Sequence, residues 1–259
     1  MPLNKLALAL AFTLSALPLS ALAQEASTEK AATADAAQTT GAVAPAPPAA
    51  AEATPALTWN VALTSDYVFR GVSQTNRKPA LQAGLNYAFG DSGFYAGLWA
   101  SNVDFNDPDG PNIELDSFVG WGKDLSTDWS VDLSVIHYGY FGDSNGYGSI
   151  AYNEFIGKAT WHKMITGTVA YANDYANLGY TSVYVNLSGS WDVGNGFSVN
   201  AGAGHSKFGG GNGSLNDWTV GVGRQFGPMH AALSYFDTNT SGPRLSDALV
   251  LTLAFGSGG

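Results

Sequence analysis

From Leu57 to Arg70 apolar and polar residues alternate. Leu57, Trp59, Val61, Leu63, Tyr67 and Phe69 fall on one phase, with Thr58, Asn60, Thr64, Asp66 and Arg70 on the other. A strand turns successive side chains to opposite faces, so this stretch predicts one apolar and one polar face. Charges on the polar face suit a strand with lipid on one side and water on the other. The unit recurs along the chain, at 57–70, 80–89, 94–103, 113–122, 129–140, 152–161, 165–175, 180–191, 197–206, 217–226, 229–238 and 245–255. Its apolar phase is plain in Trp129-Val131-Leu133-Val135, Val183-Val185-Leu187, Trp218-Val220-Val222 and Leu249-Leu251-Leu253-Phe255. Segment 94–103 carries aromatics on both phases, so its inward face is left open. Most segments have about the 9–11 residues that a tilted strand needs to cross the hydrocarbon.

The connections mostly alternate between long (71–79, 104–112, 141–151, 207–216) and short (90–93, 162–164, 192–196, 227–228), with 176–179 as a short exception among the long set. Bacterial outer-membrane barrels have long outer loops, short periplasmic turns, an even strand number and both ends inside. The long set would then hold Asp104, Asp107, Asp109, Asp143, Lys207 and the run Gly209-Gly210-Gly211 outside the cell. Tyr87, Phe89, Trp121, Trp129, Trp161, Trp191, Phe197 and Phe255 gather near strand ends, as interfacial aromatic girdles do. The prediction is an all-β fold: a transmembrane antiparallel up-and-down β-barrel of about 12 strands, in the cell outer membrane, with N- and C-termini periplasmic.

Composition narrows the partners. Charged residues are 12% of the chain and aromatics another 12%, with glycine at 32 of 259 positions. Past the N-terminus no apolar run is long enough for a spanning helix, and lipid tolerates only a closed sheet. The 21 acidic residues against 11 basic ones argue against nucleic acid, whose phosphates need a basic surface. With no cysteine, neither a disulfide scaffold nor a thiolate zinc site is expected, and no cofactor or metal is predicted.

Lys5, the apolar run Leu6 to Leu17 and the small-x-small site Ala21-Leu22-Ala23 predict a signal peptide over residues 1–23. Residues 24–56 hold Ala, Thr, Pro and Glu without an aromatic, too little apolar surface to offset ordering entropy. They read as a disordered Ala/Pro-rich periplasmic leader, and residues 57–259 as the barrel.

The run Asn60-Val61-Ala62-Leu63-Thr64-Ser65-Asp66-Tyr67-Val68-Phe69-Arg70-Gly71-Val72-Ser73-Gln74-Thr75 resembles the opening motif of the TorF-type porins of proteobacteria. The resemblance continues through Pro79 to Leu85 and Gly93 to Phe105, and resumes at Glu114-Leu115-Asp116. It implies an outer-membrane β-barrel and a pore, without naming a solute. One departure is terminal: such barrels commonly finish on Phe, whereas Phe255 is followed by Gly256-Ser257-Gly258-Gly259. That residue bears on recognition by the barrel-assembly machinery.

The in-phase charges supply the candidate site. Asp66, Glu114, Asp116, Asp132, Glu154 and Asp174 on the polar faces, set against Arg70 and Lys158, are expected to line the lumen. Opposed charges orient polar solutes and an acidic excess favours cations. The same residues could form a salt-bridge lattice filling a narrow lumen, since buried charges need partners either way. The function expected is a porin giving passive diffusion of small polar solutes or ions, with outer-membrane lipid and the assembly machinery as its other partners. Two alternatives stand beside it. A lipid-modifying enzyme would need Ser beside His at the lipid face; His137 and His205 lie on that face, but Ser134 and Ser206 fall on the opposite phase, so the histidines read as interfacial. A closed structural or adhesive barrel would show a lumen plugged by Tyr138, Tyr140 and Tyr184. Asp107, Asp109 and Asn112 read as a solvated turn rather than a calcium site.

Overall fold

A computed structural model describes residues 56–142, 149–245 and 247–257. The expected signal peptide and leader, and Asp143, lie outside the described residues. Twelve strands close into one antiparallel barrel. In chain order the strands are β1 (Ala56–Thr64), the short inner pair β2 (Val68–Phe69) and β3 (Val72–Ser73), β4 (Ala80–Ala88), β5 (Phe94–Asn102), β6 (Ile113–Asp124) and β7 (Trp129–Phe141). They continue with β8 (Tyr152–Trp161), β9 (Ile165–Ala172), β10 (Ser182–Gly194), β11 (Phe197–Phe208), β12 (Ser214–Phe226), β13 (Met229–Thr238) and β14 (Ala248–Gly256). Each wall strand pairs with its sequence neighbours. β1 closes the ring on β14 through Asn60–Gly256 to Thr64–Thr252. No sheet edge is left for the bilayer to satisfy.

The alternation sorts the side chains as expected. Leu57, Leu81, Leu133, Leu187, Leu249 and Leu251 point outward and are exposed, while Ala62, Thr64, Gln82, Ser182, Ser234 and Thr252 between them are buried inside. A continuous apolar exterior of this kind would be an aggregation surface in water and a solvent-matched one in lipid. Tyr87, Phe89, Trp129, Trp161, Trp191, Phe197 and Phe255 are all exposed and all lie at the short-turn end. In β5 the ambiguity resolves by size: Phe94 and Leu98 face out, and Tyr95 and Trp99 fill the interior.

One expectation needs correction. The first strand ends at Thr64, not at residue 70. Ser65 N–H still bonds the Leu251 carbonyl at 2.8 Å, and the chain then turns into the barrel. Tyr67 and Phe69, expected on the lipid face, are 0% and 2% exposed in the lumen. The reversal of the inner hairpin is carried by Arg70 (φ 48°) and Gly71 (φ 80°), where a side chain on Gly71 would strike Thr238 and Asp217. An aromatic lumen offers Tyr67 and Phe69 as much apolar contact as lipid does. Alternation alone cannot tell the two apart.

The connections also shift. The first long loop becomes 65–79, and 173–181 replaces the short exception at 176–179, which strengthens the alternation. The longer β11 and β12 shrink the expected ten-residue connection to 209–213. Both barrel ends, Ala56 and Gly256, lie at the short-turn end, tied by Trp59 N–H to Ser257 Oγ at 2.7 Å.

Candidate functional site

The site is the lumen and the hairpin within it. From the end of β1 the chain crosses the interior and touches the wall all round. Tyr67 packs edge-on to Trp99 of β5 and Phe69 edge-on to Tyr138 of β7, at ring centroids 5.4 and 5.8 Å apart. Val68 packs with Phe236 and Val250, and Val72 with Leu215, on the opposite wall. The Tyr138–Tyr152 stack (4.6 Å), Tyr175, Phe105, Phe118 and Phe208 complete one apolar cluster in the long-loop half. Inward glycine makes room for it: a Cβ on Gly204 would run into the Tyr184 ring.

Polar bonds fix the hairpin within that cluster. Arg70 donates two parallel bonds to Glu154 of β8, Nη1 to Oε1 at 3.0 Å and Nη2 to Oε2 at 2.9 Å. Its guanidinium lies 4.0 Å from the Tyr184 ring centroid, and Tyr138 Oη donates to Glu154 at 3.0 Å. A planar fork on a carboxylate, roofed by an aromatic face, is the arrangement that best keeps a buried cation paired. Asp66 Oδ1 accepts from Ser73 Oγ (2.6 Å) and Thr75 Oγ1 (2.9 Å), closing the segment on itself. Arg244 donates from Nε to the Ser73 carbonyl at 2.6 Å, and Arg77 donates from Nη1 to the Asp247 carbonyl at 2.9 Å. At the rim Lys78 pairs with Asp104 at 2.5 Å. Burial pushes the Asp104 carboxyl up, but the Lys78 bond, the Asn106 N–H and the charges of Lys78 and Arg244 together hold it below the usual carboxylate range.

The eight candidate charges fall into distinct places. Arg70 and Glu154 meet directly. Glu114 and Asp116 are neighbours on the inward face of β6, 1% and 3% exposed, and Glu114 accepts from Tyr140 Oη at 2.8 Å. Asp132 accepts from Tyr95 Oη at 2.7 Å and is the cross-strand partner of Lys158. Asp66 and Arg70 sit on the inner hairpin rather than on a wall strand. Asp174 follows the end of β9, where its Oδ1 caps the loop by accepting from Gly179 N–H at 2.7 Å. Asp217 was missed, though it falls on the polar phase of β12 with Thr219 and Gly221; Tyr184 Oη donates to it at 3.1 Å. Arg244 was missed because a loop has no phase to read.

Below the hairpin the lumen differs. Thr58, Asn60, Lys158, Thr160, Asn200, Gly202 and Gln225 face inward and are partly exposed near the short-turn end, although Tyr95, Asp132, Ser198 and His230 beside them are buried. Among the described residues no cluster of His, Cys, Asp or Glu has the geometry of a metal site. Of the four histidines, His137 and His205 are exposed on the outer face, His162 lies in a short turn and His230 is buried inward.

An apolar exterior, a closed twelve-strand ring and a partly wet interior define a membrane-spanning β-barrel with an internal plug. The chain belongs to a family described as bacterial proteins of unknown function (Gcw_chp), whose pattern matches residues 48–250. No curated protein matches the sequence. Solved structures with a similar fold include the NanC porin, 11% identical, covering 79% of this chain and 100% of that one with a TM-score of 0.48. An outer membrane channel from Pseudomonas putida F1 is also similar, at 11% identity, 80% and 96% coverage and a TM-score of 0.44. The KdgM porin, solved in complex with disordered oligogalacturonate, is 6% identical over 78% and 96% of the two chains, with a TM-score of 0.43. These likenesses carry no argument about solute.

Proposed function

We propose that the barrel is an outer-membrane porin for passive diffusion of small polar solutes, closed in this conformation by the hairpin at 65–79. The observation that carries this reading is the set of polar, partly exposed inward residues at the short-turn end, Thr58, Asn60, Lys158, Asn200 and Gln225. A barrel needed only as a scaffold has no use for a polar, partly exposed interior at one end. When the segment withdraws, the path would be lined by Glu114, Asp116, Asp132, Glu154, Lys158 and Asp217, with Asp66 and Arg70 travelling on the plug and Asp174 at the rim. Carboxylates outnumber cations there, so small cations pass more readily than anions. In this reading the short-turn end is periplasmic.

The test is single-channel conductance of refolded protein in a planar bilayer, with the reversal potential measured under a salt gradient. Rare openings in the wild type, turned into a steady cation-selective pore by removing 66–75, support the reading. A folded deletion variant that does not conduct rejects it. One observation favours a second reading, a closed structural or adhesive barrel: Tyr138 and Tyr184 are 1% and 0% exposed inside the lumen, with Tyr140 packed against the same cluster. That reading predicts silence from both proteins and binding of a partner through the long loops.

A further inference from the structure

The lipid-facing surface carries a polar row that the channel reading does not use. On β6, β7 and β8 the outward residues Ser117, His137 and Asn153 stand side by side, since Ser117 pairs with His137 and His137 with Asn153 in register. All three are exposed. His137 Nδ1 lies 2.9 Å from Asn153 Oδ1. With the amide oxygen as acceptor the ring proton sits on Nδ1, which leaves the Nε2 lone pair free. Directly opposed residues on paired strands have Cβ atoms about 4.5–5.5 Å apart, so Ser117 and His137 are side-chain neighbours, with no hydrogen bond joining them in this conformation. Nucleophile, base and an orienting third group are thus in order across three strands.

The setting is specific as well. The row climbs towards the long-loop rim, where Asn153 is the second residue of β8 and exposed Asn173 follows the end of β9. Headgroups lie at such a rim, and Ser117 and His137 sit two outward positions below it, beneath exposed Ile113, Leu115 and Phe141. On the membrane side of the row, Val119, Leu133, Val135, Phe155, Gly157 and Val169 line an apolar groove of about 730 Å³. The groove continues past Phe94 and Trp121 towards the short-turn end, with Ser117, His137 and Asn153 outside it, and in a bilayer it would be filled by acyl chains. The second outward histidine provides an internal contrast. His205 makes the same kind of bond, Nδ1 to Asn216 Oδ1 at 2.6 Å, but its other register partner is Val185. A headgroup-level His–Asn pair explains His205 in full. It does not explain a serine on the free side of His137.

We propose that Ser117, His137 and Asn153 form an acyl-ester hydrolase site at the lipid face, with a glycerolipid ester as substrate. Ser117 Oγ attacks the acyl carbonyl while His137 Nε2 takes its proton. The bond from the carbonyl carbon to the alcohol oxygen then breaks, and the proton passes to the departing alcohol. Water, deprotonated by the same Nε2, attacks the acyl-serine, releasing the fatty acid and restoring Ser117. Ser117 and His137 are the catalytic residues; Asn153 is a positioning residue.

The experiment uses the full chain, folded in detergent micelles, with fold checked by circular dichroism for every variant. A long-chain alkylsulfonyl fluoride is the serine probe, and release of fatty acid from phosphatidylethanolamine micelles is the turnover assay. We expect the probe to map to Ser117, and Ser117→Ala or His137→Ala to lower turnover at least about 10³-fold. His205→Ala should change neither reading. Asn153→Ala should reduce the labelling rate, and Asn153→Asp should retain it while moving the pH midpoint upward, because a carboxylate stabilises the imidazolium. A folded wild-type protein that neither labels nor hydrolyses overturns the proposal. So does labelling that survives Ser117→Ala, or loss that follows His205→Ala equally.

Discussion

The two halves of the lumen are built from the same strands and differ in what fills them. In the long-loop half, the inward positions Tyr138, Tyr152, Tyr184, Trp99 and Phe118 are large, and the hairpin adds Tyr67 and Phe69. In the short-turn half they include Thr58, Asn60, Asn200, Gly202 and Gln225, small or amide-bearing and partly exposed, beside the buried Tyr95, Asp132 and His230. A dry half favours pairing of charges, and there Arg70 meets Glu154 and Tyr184 meets Asp217, while Asp116 keeps a buried carboxylate oxygen without a hydrogen-bond partner. A wet half lets Lys158 keep water. The outside shows a matching asymmetry, with the aromatic girdle concentrated at the wet end. The inner segment therefore fills one half of the lumen while the wall strands pair all the way round.

The sharpest way to break this contrast is to remove the filling. Replacing 66–75 by a short Gly-Ser turn should raise ion conductance by about tenfold or more, since the remaining constriction is made of wall side chains. Next in size is the ion pair. Arg70→Ala strands a buried Glu154 and should destabilise the closed state by about 3–5 kcal/mol, whereas the Arg70→Met, Glu154→Met double variant should recover most of that loss. Open probability in the bilayer and guanidinium unfolding in detergent both read this out. Tyr184→Ala empties a site on the dry side and should cost about 3 kcal/mol by the same unfolding assay. On the outer face, Leu251→Arg should cost about 2–4 kcal/mol in lipid bilayers, because a cation there faces hydrocarbon. At the low end, Asn200→Ala in the wet half should stay within about 0.5 kcal/mol, its side chain exchanging one solvated surface for another. An Asn200→Ala loss as large as that of Tyr184→Ala would remove the distinction between the halves.

Much of this architecture was readable before the structure. Period-two alternation located all twelve wall strands, because a residue with lipid on one side and lumen on the other has no third option. The inward phase gave Glu114, Asp116, Asp132, Glu154 and Lys158 their common face, and the loop rhythm gave the two ends their difference. What alternation could not supply was the fate of the chain after Thr64. Tyr67-Val68-Phe69 continues the strand pattern, and only the aromatic wall of Trp99, Tyr138 and Phe236 decides that these side chains fold inward. Asp174 fell off its strand for a related reason, as β9 ends two residues earlier and the carboxylate is better used capping a loop. Pairing between distant residues was equally out of reach: nothing local links Arg70 to Glu154, or places Ser117 beside His137. The sequence by itself determined the wall, since strand phase is a local property that solvent on either side selects. The plug, its ion pair and the polar row outside were decided by tertiary structure alone, because each depends on the register that closure of the ring imposes.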